Sequence, residues 1–175
     1  TVVPQNQDEV DMMEEFQLIT TKPVLYVCNV DEASAVNGNK YVDQVRELVK
    51  DEQAEVIILS VGAEADITEL ESYEERQIFL EDMGLSEPGS AVLIRAAYKL
   101  LKLQTYFTAG VKEVRAWTYI KGMTAPQCAG IIHTDFEKKF IRAEVMSFES
   151  LVEFGSEKAV KENGKLTAEG KEYVM

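Results

Sequence analysis

The chain has 175 residues, 46% of them hydrophobic, and a formal net charge of −13. That is enough apolar material for one good core or two small ones, while no apolar run approaches the roughly 18 residues of a membrane helix. The acidity argues against indiscriminate nucleic-acid binding, and two cysteines, with no CxxC or Cys/His cluster around them, exclude a disulfide framework or zinc centre of the usual spacing.

The opening "TVVPQNQDEVDMMEE" lacks the basic and apolar regions of a secretory signal, so a cytoplasmic protein is expected. The first residue is not Met, and the chain reads as part of something longer. "PVLYVCNV" and "EVIILSV" are short, nearly continuous apolar runs rich in Val and Ile, as expected of strands covered on both faces in a parallel sheet. Between them "NKYVDQVRELVK" sets Val42, Val45, Leu48 and Val49 at helical spacing. Strand, helix, strand predicts a βαβ unit, whose ligand crevice lies outside the carboxyl ends of its strands. Two loops are expected there, "NVDEASA" and "SVGAEAD".

"ADITELESYEERQIFLEDMGL" predicts one or two helices, "SEPGS" a break, and "SAVLIRAAYKLLKL" an apolar helix with Val92, Leu93, Ala96, Leu100 and Leu103 inward. Residues 104–175 then hold ten Lys/Arg and ten Asp/Glu, leaving eight basic against 21 acidic residues before them, which marks a boundary near Leu103–Gln104. "TYFTAG" and "VRAWTYI" predict paired strands joined through Gly110-Val111-Lys112-Glu113. Thr124 caps and Pro126 begins a short helix in "TAPQCAGIIH". "FIRAEVMSF" predicts a strand with Ile141, Ala143 and Val145 on one face, "GSEKAVKENGKLTAEGKE" a solvated segment with turns at its glycines, and "KEYVM" the start of a strand. The second part is thus a small α+β module.

Asn29-Val30-Asp31-Glu32 is close to the Asn-Lys-x-Asp loop with which GTPases read guanine. There a short carboxylate accepts guanine's N1–H and 2-amino donors. Here Val30 replaces the Lys, and Glu32 holds the acid position with one extra methylene. Adenine offers an acceptor at N1 and so repels a carboxylate set close to it, whereas an Asn amide pairs with the adenine N6/N7 edge. The chemistry leans to adenine. The bland alternative has Asn29 capping a strand end with ordinary loop acids after it. Ser60, Val61 and Gly62, with small groups at the neighbouring strand end, extend the candidate base site. No G-x-x-x-x-G-K-[ST] occurs, so this chain alone is not expected to carry out phosphate chemistry.

In the second part, Lys112, Arg115, Lys138, Lys139 and Arg142 form a candidate RNA or ribosome contact, Lys138, Lys139 and Arg142 lying in or beside a strand. The aromatics among them, including Trp117 and Phe136, are assigned mainly to the core. Cys28 and Cys128 read as small core residues. His133, the chain's one histidine, reads as a hydrogen-bonded turn residue rather than a catalytic base.

"KPVLYVCNVDE", "AEADITELESYEERQIFLEDMGLSEPGS", "LLKLQTYFTAGVKEVRAWT", "TAPQCAGIIHTDFEKKFIRAEVMSFE" and "AEGKEY" together resemble the YchF family of Obg-like ATPases, translation-associated P-loop proteins, over nearly everything from Lys22 onward. The resemblance implies an α/β partial P-loop nucleotide-binding domain with a parallel sheet over residues 1–103, in which 1–21 end a helical insertion. It implies an α+β β-grasp (TGS) domain over 104–175 whose last strand is missing. It further implies ATP as the ligand, with GTP weaker, Mg2+ held through residues outside this chain, and the ribosome or RNA as partner, with no membrane. The alternative from another class is a stand-alone RNA- or ribosome-binding module that takes no nucleotide.

Overall fold

The computed structural model describes residues 3–52, 54–110 and 112–175, which divide into two compact units, Thr1–Leu101 and Lys102–Met175. In the first, β1 (Val24–Asn29) and β2 (Ala54–Leu59) pair in parallel with Val24 opposite Ala54 and Asn29 opposite Leu59. Val30 N–H donates to Leu59 O at 2.9 Å, carrying the ladder one residue beyond the strands. The connection contains α2 (Lys40–Leu48), started by Asn39, whose Oδ1 accepts the N–H of Tyr41 at 3.0 Å and of Val42 at 3.3 Å. Such a cap satisfies donors that the first helical turn otherwise leaves open.

Two expectations for this βαβ unit need correction. Val42 and Val49 are buried, but Leu48 is 82% exposed; at about 100° per residue it lies about 120° around the helix from Val42, off the stripe. Val24 and Val27 are also exposed, so β1 is not covered on both faces among the described residues.

Ahead of β1 stands α1 (Gln7–Glu15), capped by Asn6, which buries none of its residues. After β2 come α3 (Val61–Glu69), α4 (Tyr73–Asp82) and α5 (Gly89–Leu100). The capping box at α4 is complete: Glu75 N–H donates to Ser72 Oγ at 3.0 Å and Ser72 N–H to Glu75 Oε2 at 3.2 Å. At α5 the N-cap is Pro88, which has no polar side chain, and Glu64 of α3 serves instead. Its carboxylate accepts from Gly89 N–H at 2.6 Å and Ser90 N–H at 3.3 Å, an anion at the positive end of a helix dipole. α5 packs on both strands, with Ala96 buried. The helix stops at Leu100 rather than reaching Leu103, because Lys102 takes a left-handed conformation (φ 54°) and Leu103 opens the next strand. No glycine marks that stop, so the sequence pattern ran through it.

In the second unit β3 (Leu103–Ala109) and β4 (Val114–Ile120) form an antiparallel pair, Leu103 opposite Ile120 and Ala109 opposite Val114. Gly110 N–H to Glu113 O at 2.9 Å closes the turn; Val111 of the anticipated connection lies outside the described residues. α6 (Ala125–Ile132) packs against β4, and Thr124 is its N-cap as expected, with Thr124 N–H donating to Gln127 Oε1 at 2.8 Å. α7 (Thr134–Lys138) packs against α6. β5 (Ala143–Val145) pairs antiparallel with β6 (Thr167–Glu169), and α8 (Phe148–Phe154) and α9 (Glu157–Glu162) lie between them in sequence. Val174 makes a single bridge to Thr124, with Ala125 N–H to Tyr173 O at 2.8 Å and Met175 N–H to Met123 O at 3.0 Å beside it.

Strand β5 is shorter than "FIRAEVMSF" suggests: Ile141 is exposed and outside it. The Lys/Glu-rich segment is not simply solvated, since α9 sits in it and buries Val160 completely. Two adjacent apolar residues, Ala159 and Val160, among charges leave too little periodicity to reveal a helix.

The two cores differ in kind. The first is aliphatic, with Val42, Ile57, Ile67 and Leu80 buried. The second contains hydroxyl-bearing rings: Tyr119 is buried and meets Tyr106 edge-on at 5.7 Å. Each phenol has its partner, Tyr106 to Cys128 O at 2.8 Å and Tyr119 to Gln104 Oε1 at 2.8 Å, as buried polar groups require.

Candidate functional site

The candidate base site stands at the carboxyl ends of β1 and β2. Asn29 is the last residue of β1, and its Oδ1 accepts the N–H of Val61 at 3.1 Å. Ser60 is the buried N-cap of α3 but makes no side-chain cap bond, so Asn29 caps that helix from the neighbouring strand, 32 residues away. This corrects the picture of two loops. The "SVGAEAD" side is the first turn of α3, with Val61 and Gly62 inside the helix.

The amide of Asn29 is thereby oriented, and its Nδ2 group has no hydrogen-bond partner among the described residues. Because Oδ1 is engaged, the amide has its Nδ2 hydrogens left to offer to an acceptor. Beside Asn29 stands Glu32. That residue is exposed and opens a single 3-10 turn, Glu32–Ser34, while Asp31 is occupied in capping that turn by accepting Ser34 N–H at 3.0 Å. Val30 is half-buried. A side chain added at Gly62 would enter open space, so the backbone there is accessible to a planar ligand. A nearby cavity of about 360 Å3 includes Leu59, Ser60, Glu64 and Leu85 in its lining, but of the six base-site residues it reaches only Ser60. The others form an exposed edge.

The five cationic candidates of the second unit are all exposed. Lys138 ends α7 and Lys139 caps it, so neither belongs to a strand as expected, and Arg142 precedes β5. Arg115 is the one drawn into a defined arrangement. Its guanidinium lies 4.1 Å from the centroid of the Trp117 indole, and Trp117 Nε1–H donates to Thr108 Oγ1 at 2.9 Å. Residues 115, 117 and 119 share one face of β4.

Beyond Tyr119 that face opens into a groove of about 470 Å3. Glu113, Arg115 and Trp117 line one side, and Ile132, His133, Asp135 and Phe136 the other. Gly130 lets α6 and α7 close together, since a Cβ there would sit 2.5 Å from Glu137 Oε2. His133 ends α6 and caps α7, its Nδ1 accepting Asp135 N–H at 3.1 Å, which is the turn role expected of it. The Phe136 ring, 5.9 Å from His133, is 54% exposed and not a core residue. Cys128 is buried beneath β4 and desolvation pushes its thiol up; Cys28 is half-buried. Desolvation first, and then the charge of Cys128, push the Tyr106 phenol up to about 12. Among the described residues there is no group of three or more side chains fit to hold a metal ion.

An α/β unit with a polar strand edge, followed by a small α+β unit with basic and aromatic groups, defines the class. The chain belongs to the YchF family. Residues 103–175 match the family model YchF-GTPase_C, described as a protein of unknown function. The chain is 50% identical over 171 residues to "Ribosome-binding ATPase YchF" of Bacillus subtilis, covering 97% of this chain and 46% of that protein. It is 55% identical over 157 residues to the protein of the same name from Escherichia coli O157:H7, covering 90% and 43%. With "Obg-like ATPase 1" of Pongo abelii it shares 42% identity over 173 residues, covering 97% and 43%. The structure of the Schizosaccharomyces pombe YchF GTPase superposes with a TM-score of 0.82 at 35% identity, over 99% of this chain and 46% of that one. The chain spans less than half the length of the curated relatives it matches.

Proposed function

We propose that this chain supplies the base-reading part of an ATP site, in a partial P-loop domain, and the RNA-facing β-grasp (TGS) unit of a ribosome-binding ATPase. The single observation that carries the reading is the Asn29–Val61 bond at 3.1 Å, which fixes an amide donor at the carboxyl edge of a parallel strand pair. There Asn29 Nδ2 donates to purine N7, the backbone at Val61–Gly62 passes beside the ring, and Val30 adds an apolar contact. Glu32, longer than the Asp of a guanine reader, stands back from N1, where adenine has an acceptor and guanine a donor. ATP brings the scissile phosphoanhydride with Mg2+ on its phosphates. This chain contains no G-x-x-x-x-G-K-[ST], so in this reading residues outside it hold both. The relatives named as ribosome-binding ATPases support ribosome association, and Lys112, Arg115, Lys138, Lys139 and Arg142 are the groups offered to it.

The test is calorimetric titration of the whole protein with ATP and with GTP. ATP is expected to bind more tightly, and the double variant Val30→Lys, Glu32→Asp, which restores the guanine signature, to reverse that order. A GTP preference in the unaltered protein, or an order untouched by the double variant, removes Glu32 as the discriminating residue.

A further inference from the structure

The groove of the second unit has walls and fittings that the phosphate-attracting lysines do not explain. Its walls are flat: the Arg115–Trp117 stack on one side, the Phe136 and His133 rings on the other. With His133 Nδ1 accepting from Asp135 N–H, the neutral ring carries its proton on Nε2, an available donor. Glu113 and Asp135 add two carboxylates, neither engaged in an ion pair among the described residues. Two carboxylates repel a phosphate from the groove itself. A purely apolar guest would leave donors and acceptors unmatched. A planar heteroaromatic ring with an exocyclic amino group meets all of these: its faces stack on aromatic or guanidinium planes and its amino hydrogens go to a carboxylate. Phosphates flanking such a base have a place nearby, because Lys138 follows Asp135 by three residues and Lys139 follows Phe136 by three, the spacing of neighbours along a helix.

We propose that this groove takes one unpaired, amino-bearing nucleobase of single-stranded RNA, stacked against Arg115–Trp117 and Phe136 with its amino group donating to Asp135 or Glu113. This rests on the reading that the second unit faces RNA, and identifies the base, rather than the backbone, as what the groove holds. Cytosine, adenine and guanine qualify. Uracil, which has no exocyclic amino group, is the poor fit.

Trp117 is the only tryptophan in the chain, so its fluorescence reports on this groove alone. The chain is titrated with eight-nucleotide oligo(C), oligo(A), oligo(U) and an abasic ribose-phosphate strand. Oligo(C) and oligo(A) are expected to quench Trp117 and to bind about fivefold or more tighter than oligo(U), with the abasic strand weakest. Phe136→Ala is expected to weaken oligo(C) about tenfold while leaving the melting temperature in place, since the ring is exposed. Asp135→Asn should narrow the gap between oligo(C) and oligo(U). If the abasic strand binds as well as oligo(C), or Phe136→Ala changes nothing, the base site falls and phosphate attraction by the lysines remains. If no strand binds at all, the RNA-facing reading of this unit falls with it.

Discussion

The two units meet the same physical demand, a polar group held rigid at an edge, by opposite routes. In Thr1–Leu101 the core is aliphatic and rigidity at the edge comes from long-range side-chain bonds to backbone: Asn29 onto Val61, Glu64 onto Gly89. In Lys102–Met175 the core itself is polar-tipped. Tyr119 buries its ring, Tyr106 half-buries its own, both satisfy their hydroxyls, and the same face of β4 continues outward into Trp117 and Arg115. In the proposed function the first route leaves an amide and a carboxylate to read a base by its edge. The second leaves flat rings suited to reading a base by its face. An acidic unit can afford only the former, since its seven basic residues face 21 acidic ones, whereas the charge-balanced unit tolerates an incoming polyanion.

Substitutions that attack one route should spare the other. The largest effect is expected from Leu80→Ala, which empties a side chain only 1% exposed in the aliphatic core and should cost about 2–5 kcal/mol. Amide hydrogen exchange should rise across α3 to α5 and stay unchanged in β3 and β4; a uniform rise would mean the units do not differ as described. Asn29→Ala comes next. It removes both the acceptor for Val61 N–H and the donor for purine N7, so ATP and GTP affinities of the whole protein should each fall about tenfold, roughly 1.4 kcal/mol. A loss confined to one nucleotide would contradict the assignment of N7 as its target.

Tyr106→Phe should cost about 1 kcal/mol for the hydrogen bond to Cys128 O, with a distinctive pH signature. Burial raises the phenol from its ordinary value of 10.0 to about 12 in the folded chain. The folded state therefore binds the proton more tightly between those values. Its contribution is complete below pH 10 and is lost as pH climbs towards 12. Denaturant melts at pH 9 and pH 11.5 should show less alkaline loss in Tyr106→Phe than in the unaltered chain. The smallest expected effect is Ser72→Ala, about 1 kcal/mol or less from one half of the α4 capping box. Circular dichroism melts should register it as a shift of a few degrees, with oligonucleotide quenching of Trp117 unaltered.

Much of the first unit was legible because its signals are local. Continuous Val/Ile runs and the valine stripe predict the βαβ element, and the position of Asn29 at a strand end follows from it. The start of α3 was not legible: its cap comes from Asn29 rather than from Ser60, and a helix capped from 32 residues away carries no sign at its own N-terminus. Leu48 shows the opposite failure, an apolar residue that joins the count but not the buried arc. In the second unit Arg115 was flagged for its charge and Trp117 and Phe136 were assigned to the core. The alternation Arg115, Trp117, Tyr119 along β4 was the available clue that cation and ring share a face.

By itself the sequence determined the βαβ order of the first unit, the hairpin and the Thr124-capped helix of the second, the change of character near residue 103, the family, and a loop that departs at two positions from the guanine-reading motif. Those properties are written in periodicity, capping residues and contiguous motifs, all of which act within a few turns of chain. Only the tertiary structure decided that Asn29 keeps its Nδ2 group free, that Val61 and Gly62 belong to a helix, and that His133, Phe136, Arg115 and Trp117 converge on one groove. These depend on the Val61–Asn29 hydrogen bond and on the packing of α6 against β4, between residues distant in sequence, and no local pattern specifies such pairings.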